Sequence, residues 1–288
     1  MTDESAPATE PAIAVRGLRK AYEGRPAVDG LDLTVSHGEV FALLGPNGAG
    51  KTTTVEILEG YRRRDAGEVR VLGVDPDPGT PAWRGRVGIV LQGTGEFDEL
   101  TVAEVVDHFA AFYPAPDDPA RVIEQVGLAG KARARTHTLS GGQKRRLDVA
   151  LGIIGRPELL FLDEPTTGFD PEARHEFWEL IQSLAASGTT ILLTTHYLDE
   201  AEALADRVGV IAAGRLVEVA SPAELGGRRE AMSTVSWRTA EGTVRHEESA
   251  TPTALVAELA TRFDGEVPEL TVTRPTLEDV YLRMIGHR

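Results

Sequence analysis

Val40-Phe41-Ala42-Leu43-Leu44-Gly45-Pro46-Asn47-Gly48-Ala49-Gly50-Lys51-Thr52-Thr53 decides the fold. The apolar run Val40 to Leu44 reads as a short buried strand that glycines end, and Lys51 to Tyr61 reads as a helix. Between them the spacing is G-x-x-x-x-G-K-T, in the strand–loop–helix context that a phosphate-binding loop requires. Glycine at Gly45, Gly48 and Gly50 lets backbone N–H groups converge on phosphate oxygens without side-chain clash. The helix start adds positive potential, about 0.3–1 kcal/mol per nearby charge. Lys51 is placed to reach β- and γ-phosphates, the Thr52 hydroxyl to ligate Mg²⁺, and Thr53 to contact an α-phosphate. The whole run Gly45 to Thr53, with Pro46, Asn47 and Ala49, is the candidate nucleotide-binding segment.

Such a site needs an acidic residue at the end of a second apolar strand. Leu159-Leu160-Phe161-Leu162 followed by Asp163 and Glu164 supplies it. Asp163 would hold Mg²⁺, directly or through water, and Glu164 would polarise an attacking water. Alone, these two residues read as a turn after a strand. Behind a phosphate loop they read as the second half of its site.

Strand-like and helix-like segments alternate along most of the chain, the pattern of an α/β fold. Arg86 to Leu91 and Thr190 to Leu193 are further short strands, and Asp170-Pro171 opens a helix that Gly188 ends. Thr101-Val102-Ala103-Glu104 is a capping box, with Val102, Val105, Val106, Phe109 and Phe112 on one helical face. Asp118-Pro119 opens another helix. Residues 95–150 are thus predicted as a helical subdomain inserted in a sheet-based core. Val208 to Ile211 and Leu216 to Val219 read as a hairpin through Ala213-Gly214, and Ser221 to Glu224 caps a short helix. Composition shifts at Gly226, so residues 226–288 are expected to form a small α/β appendage. In it Val235 to Arg238 and Leu270 to Thr273 are strand-like, and Ala254 to Phe263 and Leu277 to Ile285 helix-like.

A net charge of -15 over 288 residues argues against nucleic acid as the main ligand and against docking to anionic lipid by charge alone. Cysteine is absent, which excludes thiolate chemistry and a disulfide framework. No stretch approaches the roughly 18 apolar residues of a membrane span. Residues 1–11 lack the basic start and apolar middle of a signal peptide and read as a disordered tail.

Leu139-Ser140-Gly141-Gly142-Gln143 resembles the signature of ABC-type ATPases, and it lies between the phosphate loop and the acidic strand end, as it does there. Tyr22 sits where that family stacks an aromatic on adenine. Gln92 follows a strand like the Q-loop glutamine, Asp170 resembles the D-loop aspartate, and His196 resembles the switch histidine. Phe169 stands where the family more often has Leu, which keeps an apolar residue beside Asp170.

The resemblance covers residues 12–225 and implies a P-loop NTPase (RecA-like) core with an inserted helical subdomain and an antiparallel β subdomain. It implies that Gln92 touches Mg²⁺ and that His196 contacts the γ-phosphate. It further implies that Ser140, Gly141 and Gly142 complete the site of a second copy, with ATP sandwiched head to tail. The ending Pro275-Thr276-Leu277-Glu278-Asp279-Val280-Tyr281-Leu282, with Pro114-Ala115-Pro116, is similar to ATPases of the ABC-2, daunorubicin-resistance-like exporter branch. A separate membrane permease, residence at the cytoplasmic face of the membrane and efflux of a hydrophobic compound follow from that likeness. An importer ATPase and a non-transport or regulatory ATPase stand as alternatives.

Overall fold

The computed structural model describes residues 10–90, 97–239 and 241–286, so Gln92 and most of the expected tail lie outside the described residues. The chain divides into two compact units, one running to Val219 and the other from Ala220. The first opens with β1 (Ile13–Tyr22), β2 (Arg25–Val35), β3 (Val40–Leu44), α1 (Lys51–Leu58) and β4 (Ala66–Val71). Then come α2 (Pro81–Arg84), β5 (Val87–Val90), α3 (Val102–Ala110), α4 (Pro119–Gln125) and α5 (Gly141–Ile153). It closes with β6 (Leu159–Asp163), α6 (Pro171–Ala186), β7 (Thr190–Thr195), α7 (Leu198–Leu204), β8 (Arg207–Ala212) and β9 (Arg215–Ala220).

The main sheet has the order β5-β6-β7-β3-β8-β9, and β5, β6, β7, β3 and β8 pair in parallel. Every residue of β3 and β7 is buried, as expected for strands covered on both faces. The register sets Leu44 opposite Thr195 and Asp163 opposite Thr194. The chain therefore leaves β3, β7 and β6 at one common rim. In open parallel sheets that rim is where ligands bind.

An antiparallel sheet, β2-β1-β4, packs its apolar side on this core. Ile13, Leu18, Leu31 and Val71 from it share one cluster with Phe41, Phe161 and Leu192. Each such side chain contributes roughly 1.5–3 kcal/mol through burial. The two-residue turn Glu23-Gly24, both at positive φ, joins β1 to β2 and leaves Tyr22 at the hairpin tip.

The helices α3, α4 and α5 pack on one another between β5 and β6. The capping box at Thr101 forms: its hydroxyl accepts the Glu104 N–H, and Glu104 accepts the Thr101 N–H at 2.8 Å.

Two local expectations are corrected. The helix after the phosphate loop stops at Leu58, short of Tyr61. Gly60 takes φ +74°, and a Cβ there would lie 2.6 Å from the Pro76 carbonyl oxygen, so the chain must turn. Ser221 to Glu224 caps no α-helix; a 3₁₀ turn, Leu225–Gly227, follows, because Gly226 at φ +58° breaks helical geometry.

The second unit holds β10 (Ser233–Arg238), β11 (Val244–Ser249), α8 (Pro252–Arg262), β12 (Thr271–Thr273) and α9 (Leu277–Gly286). Its sheet is antiparallel, β11-β10-β12, over a small core of Val235, Trp237, Leu259 and Val267. Thr276 and Asp279 form a capping box at the start of α9, and Leu277 and Val280 are buried. A Cβ on Gly226 would lie 2.2 Å from Val280 Cγ1, so only glycine fits there.

Candidate nucleotide-binding and catalytic site

The phosphate loop is fixed from below by backbone. Ala49 N–H donates to the Pro46 carbonyl at 3.1 Å, and Gly214 N–H, in the β8–β9 turn, donates to the Ala49 carbonyl at 3.0 Å. A Cβ at Gly45 would sit 2.5 Å from the Ile211 carbonyl oxygen, and one at Gly50, where φ is +105°, 2.4 Å from that of Ala27. Glycine is required at both positions by the neighbours as well as by the turn.

Lys51 opens α1 and is 7% exposed. Its Nζ donates to the carbonyls of Gly45 at 2.6 Å and Pro46 at 3.3 Å, under the loop. Burial pushes its ammonium pKa down, while Glu164 and then Asp163 pull it back up. The Lys51 ammonium thus stands between the loop and two carboxylates. Thr52 beside it is exposed.

Thr194, buried in β7, organises the acidic strand end. Its hydroxyl donates to Asp163 Oδ1 and accepts the Glu164 N–H at 3.2 Å, and its carbonyl accepts the same N–H at 3.0 Å. Glu164 itself takes φ +42°, the left-handed region, where a non-glycine residue carries strain held by its surroundings. Arg145 of α5, 7% exposed, grips the loop on both sides: its Nη2 donates to the Asp163 carbonyl at 2.7 Å and its Nε to that of Pro165 at 3.1 Å. His196 follows β7 with Nδ1 3.3 Å from Glu164 Oε1, and Thr167 Oγ1 donates to Glu164 Oε2 at 3.3 Å. The structure therefore brings Lys51, Asp163, Glu164 and His196 to one rim.

Tyr22 stands at the β1–β2 tip, 39% exposed. The Arg62 guanidinium lies 5.3 Å and the Lys20 ammonium 5.7 Å from its ring centroid. Asp65 steadies that tip by accepting from Ala21 N–H and Lys20 Nζ, both at 2.7 Å. Tyr22 is thus part-exposed at the tip, held beside Arg62 of the segment that follows α1.

Ser140 is the N-cap of α5. Its Oγ accepts the Gln143 N–H at 3.3 Å, and Gln143 Oε1 accepts the Ser140 N–H at 3.1 Å. This capping box uses two of the signature residues to shape the helix start, while Leu139 is buried beneath it. The Gly141 and Gly142 amides are first-turn donors with no intrahelical acceptor. Gly141 and Lys144 line a cleft of about 430 Å³ together with Phe97, Thr136, Glu164 and Phe169. No residue of the phosphate loop lines that cleft. Asp170 caps α6 by accepting the Ala173 N–H at 2.9 Å. Sequence reasoning did not single out Thr194 or Arg145; a hydroxyl inside an apolar strand and a buried arginine on a core-facing helix were the available signals.

Glu59, at the end of α1, is 9% exposed, and burial, with Asp163 and Glu56 adding to it, pushes its carboxyl from its ordinary 4.5 up to about 7. The folded state holds this proton more tightly than the unfolded chain. The associated stability is therefore complete below pH 4.5 and is lost as pH rises through about 7. Glu59→Gln is expected to be more stable than the parent at pH 8 by on the order of 3 kcal/mol, with the difference closing toward pH 4.5. Denaturant titrations of both proteins at the two pH values, without nucleotide, measure it.

Residues 28–167 match the ABC transporter family. The Nod factor export ATP-binding protein I of Ralstonia nicotianae is 40% identical, over 96% of this chain and 94% of that protein. The chain belongs to the ABC transporter ATP-binding family. The daunorubicin/doxorubicin resistance ATP-binding protein of Streptomyces peucetius is 38% identical, over 96% of this chain and 93% of that protein. Among solved structures, cbiO1 from Clostridium perfringens, part of the ABC transporter complex cbiONQ, aligns with TM-score 0.69 and 29% identity. It covers 75% of this chain and 90% of that one. As an ABC transporter ATPase the chain binds ATP and hydrolyses it in the service of transport.

Proposed function

We propose that this ATPase powers an exporter whose permease, of the ABC-2 type, is a separate polypeptide that moves a drug-like or other hydrophobic compound. The observation that carries the reading is likeness along the whole chain. Export and drug-resistance ATP-binding proteins align over 96% of it, appendage included. Among the described residues no helix is long and apolar enough to cross a membrane. Residence at the cytoplasmic face of the membrane, through the permease, is part of the proposal, and the net charge of -15 keeps nucleic acid out of it.

The geometry and the family resemblance together support a role for each site residue. Tyr22 offers a ring face to adenine. The amides of Gly45 to Thr53 wrap the phosphates, and Lys51 balances the charge that develops on the γ-phosphate. A Thr52 hydroxyl and an Asp163 carboxylate, completed by phosphate oxygens and water, suit Mg²⁺, which needs few protein ligands. When bound, that ion supplies charge neutralisation at the phosphates; Gln92, by the family resemblance, would contact it. Glu164 accepts the proton of the attacking water, and His196, 3.3 Å away, orients Glu164 and the γ-phosphate. Ser140, Gly141 and Gly142 at the α5 start, held by Leu139 and Gln143, serve the site of a second copy, with Asp170 at the seam. Two chains arranged head to tail then enclose the nucleotide.

Affinity capture of the tagged chain from detergent-solubilised membranes tests the export reading. A polytopic membrane protein is expected to co-purify in stoichiometric amount. Recovery of the chain with no polytopic partner would replace this reading with that of a solitary regulatory ATPase.

A further inference from the structure

Glu200 is a fully buried carboxyl that the chemistry above does not use. It lies in the first turns of α7, shortly after His196. Thr166 Oγ1 donates to Glu200 Oε1 at 2.8 Å, and Thr195 and Trp178 lie beside the same carboxyl, although Glu200 Oε2 and the Trp178 Nε1 find no hydrogen-bond partner among the described residues. Each partner comes from a segment that carries a site residue. Thr166, fully buried, sits in the loop that begins at Glu164. Thr195, also fully buried, ends β7 directly before His196, and its hydroxyl accepts the Tyr197 N–H at 2.9 Å. Trp178 belongs to α6, the helix that Asp170 caps.

A buried ionised carboxylate would be costly among these groups, and a neutral acid is not. Burial pushes the Glu200 carboxyl above the ordinary glutamate value, against the opposing pull of the nearby Thr195, Thr166 and Trp178 donors, with the nearby Asp199 charge adding to the rise. A glutamine in its place keeps an oxygen that can accept from Thr166 and carries no charge.

We propose that Glu200 is a positioning residue that ties the Glu164 loop, through Thr166, to the start of α7, the helix that follows His196, and so holds Glu164 and His196 at their 3.3 Å separation. The proposal rests on the reading of Glu164 and His196 as the groups that manage the attacking water. A misplacement of about 1 Å at such a pair costs up to about 10²-fold in rate. The loss must appear in turnover rather than in nucleotide affinity, because none of the tied segments belongs to the phosphate loop.

The test is steady-state MgATP hydrolysis by Glu200→Ala, Glu200→Gln and Thr166→Val, with Glu164→Gln as the control. Glu200→Ala is expected to lower kcat about tenfold or more with KM for ATP within about twofold of the parent. Thr166→Val, which deletes the hydrogen bond of the tie, is expected to lower kcat in the same way. Glu200→Gln is expected to stay within about twofold of the parent, since the amide keeps an oxygen that accepts from Thr166. Should Glu200→Ala not fold, Thr166→Val and Glu200→Gln carry the test. Full kcat in Thr166→Val, a loss carried by KM, or a Glu200→Gln protein as impaired as the other two would overturn the proposal. A Glu164→Gln protein that keeps parental turnover would instead overturn the assignment of Glu164 beneath it. Glu164→Gln inactive alongside unimpaired Glu200→Ala would remove the tie alone.

Discussion

Glu164→Gln is expected to lower ATP turnover by about 10²–10⁴-fold while ATP still binds, the range attributed to a positioned general base. The amide keeps the size and polarity of the carboxylate but cannot take a proton from water. Its backbone setting should survive, because φ +42° is held by Thr194, whose carbonyl and hydroxyl both accept the Glu164 N–H. Arg145 holds the flanking carbonyls independently of the side chain. Phosphate release by the purified variant, measured alongside equilibrium ATP binding, separates chemistry from affinity. Turnover within tenfold of the parent would remove Glu164 from the role of base.

Lys51→Ala is expected to abolish turnover and, unlike Glu164→Gln, to weaken ATP binding as well, by about tenfold or more. Lys51 is the cation set between the loop carbonyls and the carboxylates of Asp163 and Glu164, and it is almost wholly buried. An interaction with the phosphates of both ground and transition states lowers affinity and rate together when it is lost. Removing the charge also leaves two carboxylates facing the phosphates with less compensation, which raises the cost of bringing ATP in. Lys51→Arg is not expected to rescue, because a planar guanidinium is bulkier and aims its donors differently from the ammonium that donates to Gly45 and Pro46. Equilibrium titration with ATP reads the first effect, and parental affinity in Lys51→Ala would contradict the placement.

Most of the rim was legible in the amino-acid sequence because its chemistry restricts residue types. A loop that wraps phosphate needs glycine where Gly45 and Gly50 touch Ile211 and Ala27, and the motif states that requirement without showing the neighbours that impose it. Asp163 and Glu164 were legible as acids at the end of an apolar run, but the strained φ of Glu164 was not. Neither was the hydroxyl of Thr194, which acts across the sheet on residues distant in sequence. The end of α1 depends on Pro76, a contact that no local pattern encodes. Strand β11 escaped for another reason: Val244-Arg245-His246-Glu247-Glu248-Ser249 is exposed and charged, so it carries no apolar alternation and is set by pairing with β10. The ending from Thr276 carries a family likeness in its sequence. Its local cause is a capping box and two buried apolar residues, which any short docked helix would need.

The proposed sandwich leaves each site incomplete on one chain, with a phosphate loop and its acids that need the α5 start of another copy to close over the nucleotide. The most direct measurement is the solution mass of Glu164→Gln by light scattering, with and without MgATP. The account predicts the mass of one chain without nucleotide and of two chains with MgATP, and a return to one chain when Ser140→Arg blocks the α5 start. A single-chain mass at saturating MgATP and high protein concentration would contradict it.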